Sequence, residues 1–155
     1  MYIHWDRSLE TDHPLVDAEH RLLVLLFRKL DVAIKTQQPE PVLRHIIREL
    51  VRCVEFHFVS EENLMRETAY PDLAMHAKVH GELLAELKAW IQRITERSEF
   101  PEDLLYFLNR WLSQHIAVHD RSVVAHVASA VHRPIAELAY AEYLGALVAA
   151  PGGAD

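Results

Sequence analysis

Residues 55–80 read EFHFVSEENLMRETAYPDLAMHAKVH, and two pairs within them share one spacing: His57 with Glu61, and His76 with His80. Residues four apart lie on one face of an α-helix, about one turn from each other. Tyr70, Pro71 and Asp72 between the pairs form a turn signal. The pairs therefore belong to two consecutive antiparallel helices whose polar faces can converge. Imidazole combined with carboxylate suits iron, zinc, manganese or copper. One such pair is weak evidence, because helices carry two histidines by chance. Two pairs across one tight turn point to a metal, provided the rest of the chain supplies further ligands.

With 155 residues, 50% of them hydrophobic, the chain forms one domain with a core of its own. Four glycines and seven prolines, the prolines mostly between periodic runs, fit a mainly helical protein. A formal net charge of -7 without a basic stripe argues against a nucleic-acid partner. The lone Cys53 excludes an internal disulfide and fits a reducing, cytoplasmic location. The start lacks the basic and apolar regions of a signal peptide, and no apolar run reaches the length of a membrane span. Eleven scattered histidines are the unusual feature, and metal binding is their first explanation.

Residues 1–13 lack helical periodicity and read as an arm packed on the outside. Pro14 opens the first helix where a missing N–H costs nothing. An apolar stripe of Leu15, Val16, Leu22, Leu23, Leu26, Leu30 and Ile34 carries that helix to about Thr36. His20 sits inside this run; alone, such a histidine is more often a hydrogen-bonded core residue than a ligand. A second helix, from about Glu40 to Thr68, buries Leu43, Ile46, Ile47, Leu50, Val54, Phe58 and Leu64. Its second stripe, at steps of four, is Cys53, His57 and Glu61. Cys53 reads as a small buried side chain, and Glu62 and Glu67 as solvated. Asp72 is a suitable N-cap for a third helix that runs to about Arg97, and Gly81 within it marks a close helix crossing. A fourth helix begins near Pro101 and carries His115, His119 and Asp120. His115 and His119 share a face. Asp120, five residues beyond His115, lies about 140° away at roughly 100° per residue. It joins His115 only where the helix widens to a π-type turn or ends. The pattern continues to Val131, Pro134 breaks it, and an Ala-rich helix of about 135–149 leads to a Pro-Gly-Gly-Ala-Asp tip.

The expected fold class is all-α. Four long helices with short links make an up-down-up-down four-helix bundle, with an N-terminal arm and an extra C-terminal helical tail. Residues 1–132 form the bundle, and 133–155 a tail ending in a flexible tip. The ligand inventory in chain order is His20, His57, Glu61, His76, His80, His115 and Asp120, with His119 as the rival of Asp120 on the last helix. His4, His13, His45, His126 and His132 lack a partner at ligand spacing.

These positions resemble the hemerythrin family, specifically the bacterial hemerythrins, over roughly residues 5–120. The resemblance rests on Trp5-Asp6, Val16-Asp17-Ala18-Glu19-His20, the run from His57 to Met65, Tyr70-Pro71, His76 to His80, and Trp111 to His115 continuing to Asp120. It implies a non-haem centre of two iron ions bridged by an oxo or hydroxo group. His76, His80 and His115 would hold one iron, His20 and His57 the other, and Glu61 and Asp120 would bridge them. It implies reversible O2 binding at the iron with two histidines, and it selects Asp120 over His119, which makes the π-type turn a requirement. Leu22, Leu23, Leu112 and Ile116 flank ligands in sequence and are candidates for the wall of the O2 pocket, although apolar residues here serve the core in any case. The implied role is O2 carriage, storage or sensing rather than enzymatic. The alternative, a di-iron enzyme acting as an oxidase or reducing peroxide or nitric oxide, fits less well, because ferritin-like oxidases are carboxylate-rich. A structural zinc site needs fewer ligands than seven. Two features depart from the family pattern: His13-Pro14 stands where a glycine-containing turn is usual, and the tail runs past the usual end. The tail accordingly reads as a contact for a signalling partner or a second copy, or equally as a segment that packs on the bundle and covers apolar surface.

Overall fold

The computed structural model describes residues 5, 7–97 and 102–149. His4, Asp6, residues 98–101 and the tip from residue 150 lie outside the described residues, and with them the expected helix start near Pro101. The elements are α1 (Pro14–Lys35), α2 (Glu40–Glu67), α3 (Leu73–Arg97), α4 (Glu102–His115), a π turn (Ile116–Asp120), α5 (Arg121–Ser129) and α6 (Ile135–Ala149). The architecture is an all-α up-down-up-down bundle, in which α1 packs on α2, α2 on α3, and α4 against α1.

Local chemistry sets the boundaries. Pro14 sits in the first turn of α1, and His13 caps it by accepting the Val16 N–H on Nδ1 at 3.4 Å. α1 and α2 end alike. Gln37 and Ala69 adopt φ of 52° and 53°, in the left-handed region. The N–H of the next residue then returns to the helix, Gln38 to the Ala33 carbonyl at 2.9 Å and Tyr70 to that of Met65 at 2.8 Å. This closure satisfies carbonyls that a helix end otherwise leaves open, and it usually employs glycine.

Apolar residues form two clusters. The larger includes Leu23, Phe27, Leu30, Ile47, Leu50, Phe58, Leu108, Leu112 and Ile116. The smaller contains Val16, Leu64, Met65, Val123, Val124 and Val127. Along α1, His20 falls between Val16 of one cluster and Leu23 of the other. Along α2, Glu61 falls between Phe58 and Leu64, and on the last helix Asp120 falls between Ile116 and Val123. A polar layer thus separates two apolar ones.

The arm is more deeply seated than its composition suggests, since Leu9, Thr11 and His13 are buried. The Thr11 N–H and hydroxyl both donate to Asp17 Oδ1 at 2.8 Å, and the Arg21 guanidinium lies 4.8 Å from the centre of the Trp5 ring. Gly81 does not mark a helix crossing: a Cβ placed there meets no atom within 4 Å. Glu67 is not simply solvated, because its Oε2 accepts the Ile135 N–H at 2.6 Å and ties the start of α6 to the end of α2. Glu137 of α6 lies 3.2 Å from both His13 Nε2 and Arg133 Nε. From Ala141 to Ala146, α6 is exposed all round.

Cys53 is half-buried beside the larger cluster. Burial, and then the carboxylates of Glu19 and Glu49, push its thiol up to about 11. The thiolate is the reactive form and a free cysteine has a pKa of about 8.5. At pH 8, alkylation of Cys53 in the native protein is therefore expected to be roughly a hundredfold slower than that of a free thiol. The rate should keep rising with pH through pH 10; a plateau near pH 9 would contradict this environment.

Candidate metal centre

Seven buried side chains meet in the polar layer. Glu61, His76, His80, His115 and Asp120 offer ligand atoms within 4.8 Å of one another, and His20, His57 and Asp120 form a second such group. Asp120 belongs to both groups, while Glu61 belongs to the three-histidine group. Four elements deliver the set: α1 gives His20, α2 gives His57 and Glu61, α3 gives His76 and His80, and α4 with its π turn gives His115 and Asp120. The π turn is what carries Asp120 to the His115 side. Its five residues accommodate the i, i+5 spacing, and Asp120 Oδ1 comes to 3.1 Å from His115 Nε2. His119, four residues from His115, falls outside both groups. Its ring lies 5.2 Å from that of His115 and 5.6 Å from that of His76. Burial, and then the nearby His115, lower its pKa.

The atoms that converge are mostly acceptors. His76 Nε2 lies 2.9 Å from His80 Nε2, which lies 3.0 Å from His115 Nε2. Glu61 Oε2 sits 3.0 Å from His76 Nε2 and 3.2 Å from His80 Nε2. Both Glu61 oxygens and Asp120 Oδ1 are buried without hydrogen-bond geometry to any described residue. Buried polar atoms are rarely left so. Five imidazoles and two carboxylates converging in this way fit a pair of iron ions in both donor type and number.

The buried carboxylates and rings act strongly on one another. Burial opposes ionisation of Asp120, but His115 and then His20 and His57 hold it well below the usual carboxylate range. Burial would lower His57; attraction to Asp120 at 3.9 Å and to Glu19 at 2.9 Å overcomes it and pushes the ring up to about 10. Burial lowers His76 as well, and the neighbouring Glu61 reverses the sign, so its pKa is raised. His80 is lowered, chiefly by burial.

Two carboxylates that are not in either group orient the rings. Glu19 Oε2 lies 2.9 Å from His57 Nδ1, and Glu19 Oε1 accepts the Ser60 hydroxyl at 2.6 Å. Glu62 Oε1 lies 3.2 Å from His80 Nδ1, while its Oε2 accepts from Arg66 at 2.8 Å. Glu62 is thus a ring partner and not a solvated surface acid. An acceptor at Nδ1 places the proton there and turns the Nε2 lone pair inward. Glu19→Gln and Glu62→Gln are each expected to weaken iron binding about 10–100-fold, the usual cost of losing such a partner. Chelator competition checks this, and unchanged affinity in both variants would refute it.

The apolar surroundings sort the four pocket candidates. Leu23, Leu112 and Ile116 are buried in the larger cluster. Leu22 is 46% exposed and faces outward, so it walls no interior pocket; one residue, about 100° of helix, separates it from Leu23. Phe58 is the residue that sequence reasoning assigned only to the core. Its ring stacks on His80 with centroids 3.8 Å apart and an interplanar angle of 7°, and it meets Trp111 edge-on at 5.9 Å. Its place one residue after His57 was the available signal.

The region holding this layer matches one family model, the hemerythrin HHE cation binding domain, over residues 11–127. The chain is 29% identical over 118 residues to a bacteriohemerythrin of Stenotrophomonas maltophilia (strain R551-3), covering 76% of each chain. It is 29% identical over 119 residues to a hemerythrin of Themiste dyscrita, covering 75% of this chain and 86% of that one. A crystal structure of wild-type hemerythrin shares the fold with a TM-score of 0.71 at 24% identity, covering 79% of this chain and 95% of that chain.

Proposed function

Because the chain belongs to the hemerythrin family, and so binds O2 reversibly at a non-haem di-iron centre, we propose how its own residues divide that work. His76, His80 and His115 would hold one iron, and His20 and His57 would hold the other. Asp120 would serve both irons, and Glu61 would be the second carboxylate ligand. The observation that carries this reading is the sharing of Asp120 between a three-histidine group and a two-histidine group. When bound, the iron pair supplies the electrons that O2 takes on and returns. The chain supplies the rest. Glu19 and Glu62 keep the Nδ1 protons of His57 and His80 in place. Asp120 and Glu61 bring negative charge into a site otherwise built of imidazole rings. Leu23, Leu112 and Ile116 keep water from the buried layer.

We read the protein as a cytoplasmic carrier, store or sensor rather than an enzyme. Residues 1–132 serve as the O2-binding unit and 133–155 as an accessory tail. No described helix is long and apolar enough to cross a membrane. The largely apolar stretch 141–146 of α6, exposed throughout, supports contact with a signalling partner or a second copy. Anaerobic reduction followed by O2 titration tests the function, with iron counted and visible absorption followed. Two irons per chain and an absorption band that comes with O2 and goes on its removal are the expected results. Decay of that band with turnover would favour the di-iron enzyme, and zinc in place of iron would overturn the ligand assignment.

A further inference from the structure

This acidic chain concentrates cations in one groove. Arg44, Arg48 and Arg52 follow one another at steps of four along α2, so a single face carries all three. Lys88 lines the groove from α3, with Val51 and Ile91 contributing apolar surface. Four of the 16 Lys and Arg of a chain with net charge -7 thus line one cavity, against a single carboxylate, Glu55. Its volume is about 440 Å³, inside the range of roughly 300–1,000 Å³ typical of small-molecule sites.

The groove is braced before any ligand arrives. Glu55 Oε1 takes Lys88 Nζ at 2.8 Å and Oε2 takes Arg52 Nη1 at 2.9 Å, so one acid ties α2 to α3 and sets two cations side by side. Arg44 is paired with Glu40, one turn earlier on α2. Arg48, in the middle of the row, is exposed and has no ion-pair partner among the described residues. Guanidinium forks match phosphate oxygens in pairs, and each such bond gains from both charges. A singly charged ligand would engage a fraction of this row. A long polyanion such as nucleic acid would meet the repulsion of the chain's overall charge.

We propose that the groove formed by Arg44, Arg48, Arg52 and Lys88 binds a small soluble molecule carrying two or more phosphate groups. The site stands apart from the metal layer and does not rest on the O2 reading. The probe is tripolyphosphate, titrated calorimetrically into the iron-loaded full chain at about 0.15 M salt, where surface charges are screened beyond about 8 Å. One saturable site per chain is expected. Orthophosphate at equal ionic strength should bind about tenfold or more weakly, and Arg48→Ala should weaken tripolyphosphate by about tenfold or more. Arg48 is exposed, so Arg48→Ala should leave iron content and helical circular dichroism unchanged, which separates failure of this site from failure of the iron site. No saturable binding, or binding that Arg48→Ala leaves intact, overturns the proposal. So does sedimentation with vesicles bearing multiply phosphorylated inositol headgroups when soluble tripolyphosphate does not bind.

Discussion

Asp120→Ala is expected to take the protein from two irons per chain to fewer than one. Asp120 is the residue that both groups share, and it is fully buried. One oxygen lies 3.1 Å from His115 Nε2 and 3.6 Å from His76 Nε2; the other lies 3.0 Å from His20 Nε2 and 3.9 Å from His57 Nε2. Its removal leaves His20 and His57 as a bare pair and takes a negative charge from the other group. The loss should exceed the roughly 10–100-fold cost of losing an outer ring partner. The metal-free chain should suffer too. Removing one partner of a buried charged set costs about 3–5 kcal/mol, and the raised His57 ring would lose its strongest attraction. Asp120→Asn separates shape from charge and should also lose iron, with a smaller effect on the metal-free fold. Metal analysis and thermal denaturation check both variants. An Asp120→Ala protein that keeps two irons would remove Asp120 from the ligand set.

Phe58→Ala is expected to destabilise the protein by about 3–5 kcal/mol, the usual range for a buried phenylalanine. For a chain of this size that is a fall in Tm of roughly 6–20 °C. Phe58 is 4% exposed and touches both the apolar cluster and the ligand rings, stacking on His80 and lying 5.9 Å from the ring of His115. The damage should therefore extend to the metal: His80 loses the surface that holds its plane, and iron should dissociate faster. Phe58→Leu keeps most of the volume without the flat face. It should recover much of the stability while its iron still leaves faster than in the parent, a split seen by comparing Tm with chelator-driven release. Equal recovery of both properties would mean that Phe58 acts through volume alone.

The helices were legible because their punctuation is local. Pro14, the Pro-bearing link before Val42 and the Tyr70-Pro71 turn mark ends that any chain with these residues would respect. The π turn was legible as a condition, because His115 and Asp120 cannot share a face of a regular helix. The ring partners were not legible. Glu19 reaches His57 from a different helix and Glu62 reaches His80 from another; the match depends on how far two packed helices are rotated against each other, which spacing within one helix does not report. Leu22 failed for the opposite reason. Its sequence position beside a ligand said nothing about which way one further step of the helix would turn it. The tail resisted both kinds of reading. α6 has no apolar stripe to orient it, and its start is held by two polar contacts, Glu67 to Ile135 and Glu137 to His13, beside the packing of Ala136 on the smaller cluster.

The turn from Ile116 to Asp120 also changes what the chain tolerates in length. A regular helix advances about 100° with every residue, so gaining or losing one elsewhere in α4 would swing everything beyond it out of register. The wider turn absorbs one residue without such a swing. α5 therefore keeps the setting that a chain one residue shorter would have, with Val123 and Val127 in the smaller cluster and His126 Nε2 on the Thr68 carbonyl at 2.8 Å. Deletion of the exposed Ala117 would convert the spacing of His115 and Asp120 to four, which in a regular helix still places both on one face. This short segment is thus the place in the last bundle helix where a residue can be lost with the ligands and the packing face beyond them left nearly in position.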